Sequence, residues 1–338
     1  MNIAIFASLG AQNLGDELII KNEVQLLEQE FSKTHFRIFT YDVKHPFFTA
    51  ENIKYLEYFP IDSKKIKNIF RNLKNLFSFI GTLIWSDMVV IGGGGIMYDS
   101  EIQSVKNPLD QWIFRAKCAR FFWKKLYFYA LGIDIKQEEN VIKLKKIFHK
   151  AWKITVRDQK SWEQLRILGI HSDIVDDPVM DESSGKGNIL WTHLSRSFLL
   201  KDFENYDFSG KKIGLALRSG YIGKTADSRI ERLLVAELCS YIEKKWGKVF
   251  FLPHSFHDSD PQVNDYIFMQ QFLTPERSIC HNMQEVYDWY KTLSIFESPQ
   301  KLVISMRLHS IILSYVYGID QVVLSYSQKT EELLKKLR

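Results

Sequence analysis

The sequence predicts an α/β protein built from two Rossmann-like domains facing a cleft. Three observations lead there: the length of 338 residues, an alternation of short β-branched runs with longer stretches of helical period, and a polar break near mid-chain after which the alternation restarts. At roughly 150 residues per domain this length suits two cores. The alternation is the pattern of βαβ units, whose strands lie parallel.

The first domain, residues 1–180, reads as strands near 2–7, 35–41, 86–91, 125–130, 152–156 and 171–176. Helical period, with apolar residues returning at three- and four-residue steps, starts at Asp16 and recurs near 64–84, 109–123, 138–150 and 158–168. From Pro178 through Gly210 the chain collects Asp, Ser, Gly and Lys with little sustained period, and the linker is placed within that stretch. The second domain, residues 181–338, reads as strands near 211–217, 247–252, 300–305 and 320–324, with helices near 228–245, 260–272, 283–293, 308–317 and 328–337. In such sheets the C-terminal strand ends carry the functional loops, so both sets of loops are expected at the gap.

Composition narrows the function classes. Hydrophobic residues at 46% and charged residues at 25% exclude a disordered, collagen-like or low-complexity chain. A net charge of +5, dispersed along the sequence, does not point to nucleic acid as a partner and suits a small anionic ligand. The N-terminus lacks a basic region followed by an apolar core, and no run of about 18 uncharged apolar residues occurs, so a cytoplasmic location is expected. Cys118, Cys239 and Cys280 are far apart and form no CxxC pair, which leaves them as expected core residues.

Several segments carry residue types suited to chemistry. The turn Ser8-Leu9-Gly10-Ala11-Gln12-Asn13-Leu14-Gly15-Asp16-Glu17 follows a strand and opens a helix. It is open to two readings: an N-cap on a tight βα turn, with an acid favoured at the helix start, or a loop that holds substrate hydroxyls through Asn13 and Asp16. Gly92-Gly93-Gly94-Gly95 also follows a strand, but Met97 stands where a dinucleotide fingerprint needs glycine. Four glycines in a row cost conformational entropy, so exposed backbone donors for an anion or a sugar are expected around Gly93 and Gly94. Gly223-Lys224-Thr225 is no P-loop, because Arg218 occupies the place of the first glycine.

Arg157-Asp158 ends a strand before a helix and reads as an ion pair and an N-cap holding that turn, with Asp177-Pro178 as a turn at the domain edge. Three successive strand ends in the second domain deliver cations to one side: Arg218, His254, and Arg307 with His309. Arg307 and His309 open an otherwise apolar helix, where positive side chains work against the helix dipole unless an anion binds. The run His254-Ser255-Phe256-His257-Asp258 lacks a third ligand of suitable type, and no metal is expected. Asp258-Ser259-Asp260 mimics a DxD motif but lies in the wrong domain for one.

These segments together resemble the polysaccharide pyruvyl transferase family. Asn13-Leu14-Gly15-Asp16-Glu17 is similar to its N-x-G-D-E turn, and Val90-Ile91-Gly92-Gly93-Gly94 to its glycine strand end. Arg157-Asp158, Ser161, Leu168-Gly169 and Asp177-Pro178 follow its R-D-x-x-S to D-P block. Met306-Arg307-Leu308-His309 matches its R-x-H motif, and Tyr326-Ser327-Gln328-Lys329 its terminal Y-x-x-K. The resemblance implies a GT-B-like fold and transfer of a pyruvyl unit from phosphoenolpyruvate to two hydroxyls of a sugar, forming a ketal. The sugar would belong to a surface glycan or its lipid-linked precursor.

On that basis His309 is the expected acid, since imidazole titrates near neutral pH. Arg307 and Arg218 are the expected clamps on the donor, Lys329 a point charge and His254 a supporting donor. Asp16 would orient or deprotonate an acceptor hydroxyl, with Asn13, Gly15, Gly93 and Gly94 around it. The first domain then takes the acceptor side and the second the phosphoenolpyruvate side. Phosphoenolpyruvate is a co-substrate, and no further cofactor is required. A nucleotide-sugar glycosyltransferase of the same fold and a non-catalytic glycan-binding protein are the alternatives.

The segment from Lys64 to Trp85 is expected to form an amphipathic helix. Ile66, Ile69, Phe70, Leu73, Leu76, Phe77 and Ile80 recur at steps of three and four, and Lys64, Lys65, Lys67, Arg71 and Lys74 come without an acid among them. Such a helix either packs its stripe on its own sheet or lies peripherally against an anionic membrane surface.

Overall fold

The computed structural model describes residues 1–59, 67–99, 108–182, 189–193, 203, 206–220, 222, 228–257, 264–292, 301–325 and 327–337. Contacts divide the chain into two compact units, Met1–Ala11 with Asp16–Pro178 and Gln12–Gly15 with Val179–Arg338. The first turn is thus split between units. Leu14 donates its amide to the His254 carbonyl at 3.0 Å, Phe256 donates to the Gln12 carbonyl at 2.9 Å, and Asn13 bridges Ser255, so four residues read as part of the first domain fold with the second.

In unit 1 the chain order is β1 (Asn2–Phe6), α1 (Leu14–Glu30), β2 (His35–Thr40), β3 (Ile53–Glu57), α2 (Lys67–Trp85), β4 (Met88–Tyr98), α3 (Pro108–Phe121), β5 (Lys125–Asp134), α4 (Glu138–Phe148), β6 (Lys153–Val156), α5 (Gln159–Ile167) and β7 (Asp173–Ile174). The seven strands are parallel in the order β3-β2-β1-β4-β5-β6-β7. Burial on both faces explains why β1 and the start of β4 read as unbroken apolar runs. β3 was not legible because Ile53-Lys54-Tyr55-Leu56-Glu57 is a partly exposed edge strand with a weak apolar signal.

The glycine cluster lies inside β4, paired with β5 as Gly92↔Tyr129 and Gly94↔Leu131, and the register shifts beyond Gly94. Gly93 and Gly94 are buried and take φ of 76° and 87°. A Cβ on Gly93 would stand 2.6 Å from both Ile19 and Ile20. Close packing and a left-handed irregularity therefore account for these glycines, and the expectation of exposed backbone donors there is corrected.

Helix α2 does not pack its whole apolar stripe on its own sheet. The side it buries is Asn75, Phe79, Thr82 and Leu83, while Ile69, Phe70, Leu73 and Phe77 are exposed. Residues 64–66 lie outside the described residues. Among the described residues no helix is long and apolar enough to cross a membrane.

Unit 2 opens with a 3-10 turn over Pro178–Glu182 and continues as β8 (Ile189–His193), β9 (Lys212–Ala216), α6 (Ser228–Lys244), β10 (Lys248–Phe251), α7 (Asp265–Gln270), β11 (Ser278–Ile279), α8 (Met283–Lys291), β12 (Lys301–Ser305), α9 (Leu308–Val316), β13 (Asp320–Leu324) and α10 (Gln328–Leu337). Its six strands are parallel in the order β11-β10-β9-β12-β13-β8. β8 falls in the stretch read as linker, and it pairs with β13 at the sheet edge, Val322 opposite Trp191. Tertiary pairing, not local period, makes it a strand. Cys239 is buried in this core, whereas Cys118 and Cys280 are only partly covered.

Candidate active site in the second unit

Four adjacent parallel strands set the site. β10, β9, β12 and β13 end in register at one edge of the second sheet, and the chain beyond each end carries His254, Arg218, Arg307 with His309, and Lys329 respectively. The backbone ties these ends together: Met306 donates to the Ala216 carbonyl at 2.9 Å and Leu252 to the Leu215 carbonyl at 2.9 Å. Arg307 is the extended residue that precedes α9, with φ −79° and ψ 130°, so His309 falls in the first turn of that helix.

Arg307 does not stand alone. Its Nε donates to Asp265 Oδ2 at 2.8 Å and its Nη2 to Asp265 Oδ1, a bidentate fork onto a carboxylate that is 1% exposed. The His254 amide also donates to that carboxylate, at 3.2 Å. Burial pushes the Asp265 carboxyl up, and Arg307, the His254 amide and the charge of Arg218 pull it back. The fork uses two of the five guanidinium donors and fixes the plane of the rest. Asp265 was missed in the sequence because 42 residues separate it from Arg307.

His254 is buried, and its Nε2 lies 3.1 Å from the Tyr290 hydroxyl, which in turn lies 2.7 Å from Ser310 Oγ at the start of α9. Burial, then the positive charges of Arg307 and His309, hold the His254 imidazole well below its usual range. It is a neutral group at pH 7, which corrects a picture of it as one more cation.

The Gln12–Gly15 segment packs against these strand ends, with the Leu14 amide on the His254 carbonyl and Gly15 against His309. Asn13 Oδ1 accepts from the Gly15 amide at 3.0 Å, so the asparagine, and not Asp16 or Glu17, caps the start of α1. A Cβ on Gly15 would stand 2.5 Å from His309 Cγ and closer still to Nδ1 and Cε1. The imidazole therefore packs face-on against a backbone that only glycine leaves open. The sequence held both residues in separate motifs with no sign that they touch. Lys329 is exposed in the first turn of α10, and Tyr326 lies outside the described residues, as do Asp258 to Asp260 and Gly223 to Thr225.

Asp16, Gly93 and Gly94 belong to unit 1 and are grouped there. An added Cβ on Gly94 would be 3.4 Å from Asp16 Oδ1. Beside Asp16, Glu17 is buried and accepts from the Gly10 amide at 2.8 Å. Its pKa is pushed up to about 7 by burial, with the charges of Asp16 and Asp42 adding to the rise against the pull of the Gly10 amide. Glu23 lies fully buried below Gly93, and burial raises its pKa well above the carboxylate range. Asp158 caps α5 by accepting from the Ser161 amide at 2.8 Å, the role expected of it, while Arg157 takes as its ion-pair partner Asp177, expected only in a turn, at 2.8 Å and mostly buried. Among the described residues no group of three His, Cys, Asp or Glu is placed to hold a metal ion.

These features define an α/β protein of GT-B-like fold with imidazole and guanidinium groups gathered at one sheet edge of its second unit. Residues 13–328 match the family model for polysaccharide pyruvyl transferase, and the chain belongs to that family. Among solved structures, a protein described as a UDP-N-acetylglucosamine 2-epimerase from Listeria monocytogenes is similar at TM-score 0.53 and 11% identity, covering 99% of this chain and 81% of that one. The UDP-GlcNAc 2-epimerase of Methanocaldococcus jannaschii gives TM-score 0.49 and 12% identity over 99% and 91% of the two chains. The first of these likenesses supports the fold and nothing about the reaction. A comparison with curated proteins finds no match.

Proposed function

We propose that the protein transfers a pyruvyl group from phosphoenolpyruvate to two hydroxyls of one sugar, forming a cyclic ketal on a surface glycan or its lipid-linked precursor. The observation that carries this reading is the grouping of Arg307, Arg218, His254 and His309 at one sheet edge in a chain of this family. Phosphoenolpyruvate brings a carboxylate and a phosphate, which need several donors of fixed geometry. Arg307, oriented by Asp265, and Arg218 supply guanidinium groups, and Lys329 is assigned a further charge.

The chemistry balances with these groups. A proton passes from His309 to the methylene carbon of the donor, leaving oxocarbenium character at C2, and the first sugar oxygen bonds to C2 as its proton goes to a base. The C2–O bond to phosphate then breaks with the electron pair leaving on phosphate, and the second sugar oxygen bonds to C2 with loss of its proton. The acceptor proton is assigned to Asp16 and the acid role to His309.

The test is incubation with phosphoenolpyruvate and a panel of sugar and lipid-linked sugar acceptors, reading phosphate release together with the mass of the acceptor. Release of phosphate with gain of a ketal supports the assignment. Turnover of nucleotide sugars in the same panel, without phosphate from phosphoenolpyruvate, would replace it with glycosyl transfer.

A further inference from the structure

The outer face of unit 1's helix layer is more apolar and more basic than folding requires. Helices α2 and α3 lie on the same side of the sheet, since Phe79, Leu83, Trp112 and Ala116 join one buried core. They are neighbours there: Phe79 stacks on Phe114 with ring centroids 6.1 Å apart, and Lys124 Nζ donates to the Ile84 carbonyl at 3.1 Å. What α2 leaves outside is not polar. Phe70 is 80% exposed and Phe77 71%, with Leu73 and Ile84 also outward.

The end of α3 adds to the same face. Phe121 is exposed, and Trp123 is 93% exposed at φ 60°. The Trp123 amide donates to the Arg120 carbonyl and the Lys124 amide to the Ala119 carbonyl, so Trp123 occupies the left-handed position that ends the helix. Glycine is the usual residue at such a position, and a tryptophan there is strained without any gain in core packing.

Charge selects the partner. Residues 67–85 and 111–124 contain seven Lys and Arg and no Asp or Glu, and of these only Arg115 is buried among the residues whose side chains are described. Arg71 is neutralised by Glu57 of β3, whereas Lys74 and Lys117 stand exposed. A second copy of this chain across a twofold axis would set these lysines against one another. We propose that this face docks on an anionic phospholipid bilayer, with Phe70, Phe77, Phe121 and Trp123 at the boundary between headgroups and acyl chains and the lysines against the headgroups. Docking needs only this face, so its test is independent of the catalytic reading.

The experiment is co-sedimentation of the full chain with vesicles of phosphatidylglycerol and phosphatidylcholine, against vesicles of phosphatidylcholine alone. Binding is expected on the anionic vesicles only, and to fall about tenfold or more between about 0.05 and 0.5 M salt. Trp123→Gly keeps the left-handed backbone, so its melting temperature is expected to hold while binding drops. Phe70→Ser with Phe77→Ser, and separately Lys74→Gln with Lys117→Gln, are expected to weaken binding in the same way. Equal sedimentation with neutral vesicles, wild-type binding by all of these variants, or a concentration-dependent dimer that they dissociate would each overturn the proposal.

Discussion

Replacing Gly15 by alanine puts a methyl carbon where the His309 ring already lies. The new Cβ would be 2.5 Å from His309 Cγ, and ordinary carbon–carbon contact begins near 3.5 Å, so the ring must retreat by at least about 1 Å. Two effects then compete. Alanine at a helical position favours the helix by roughly 0.8–1 kcal/mol over glycine, and an imidazole can swing aside, so the fold is expected to survive. A displacement of about 1 Å in a group that delivers a proton is expected to lower turnover on the order of 10²-fold. Phosphate release from phosphoenolpyruvate measures the second effect and thermal denaturation the first. Adding His309→Ala makes room for the methyl, so whatever stability Gly15→Ala loses should return in the double variant. Wild-type turnover in Gly15→Ala would refute the packing of His309 as the element that aims it.

Other substitutions test the rest of the site. Arg307→Ala strips the partner from Asp265, which is 1% exposed, and is expected to cost about 3–5 kcal/mol in urea unfolding. Pairing it with Asp265→Leu should recover most of that stability without restoring turnover. His309→Gln keeps a hydrogen-bonding group and should retain donor binding by calorimetry while turnover drops about 10²- to 10⁴-fold. His254 stays neutral in the native state but takes a proton below pH 6.5 when unfolded. Its contribution is therefore lost as pH falls below 6.5, at up to about 1.4 kcal/mol per pH unit, and His254→Gln should flatten that limb of the urea midpoint against pH. Glu17 runs the other way: the native state holds its proton up to about pH 7 and the unfolded chain only to 4.5, so stability is lost as pH rises between those values. Glu17→Gln should gain up to about 3 kcal/mol on the wild type by pH 8 and little at pH 4.

Much of the fold was legible because a parallel strand is buried on both faces. Ile3-Ala4-Ile5-Phe6 and Met88-Val89-Val90-Ile91 announce themselves as apolar runs, and the helices between strands repeat every three or four residues. Elements at sheet edges did not. β3 and β8 owe their conformation to a neighbouring strand, and β8 sits in a stretch whose polar residues read as linker. The glycines of β4 misled for a related reason: their local freedom is evident in sequence, but whether it serves a ligand or close packing against Ile19 and Ile20 depends on what lies across from them.

At the site, residue type and order along the chain were enough to bring Arg218, His254, Arg307 and His309 to successive strand ends, because a βα repeat places every strand terminus on the same side of its sheet. Only the tertiary structure decided what each group is there. The Asp265 carboxylate that forks Arg307, the Tyr290 hydroxyl against His254 and the Gly15 backbone under His309 come from distant parts of the chain. The protonation of His254 and Glu17 was equally beyond local sequence, since burial and the summed charges around a group set its pKa, and both are properties of the folded surroundings.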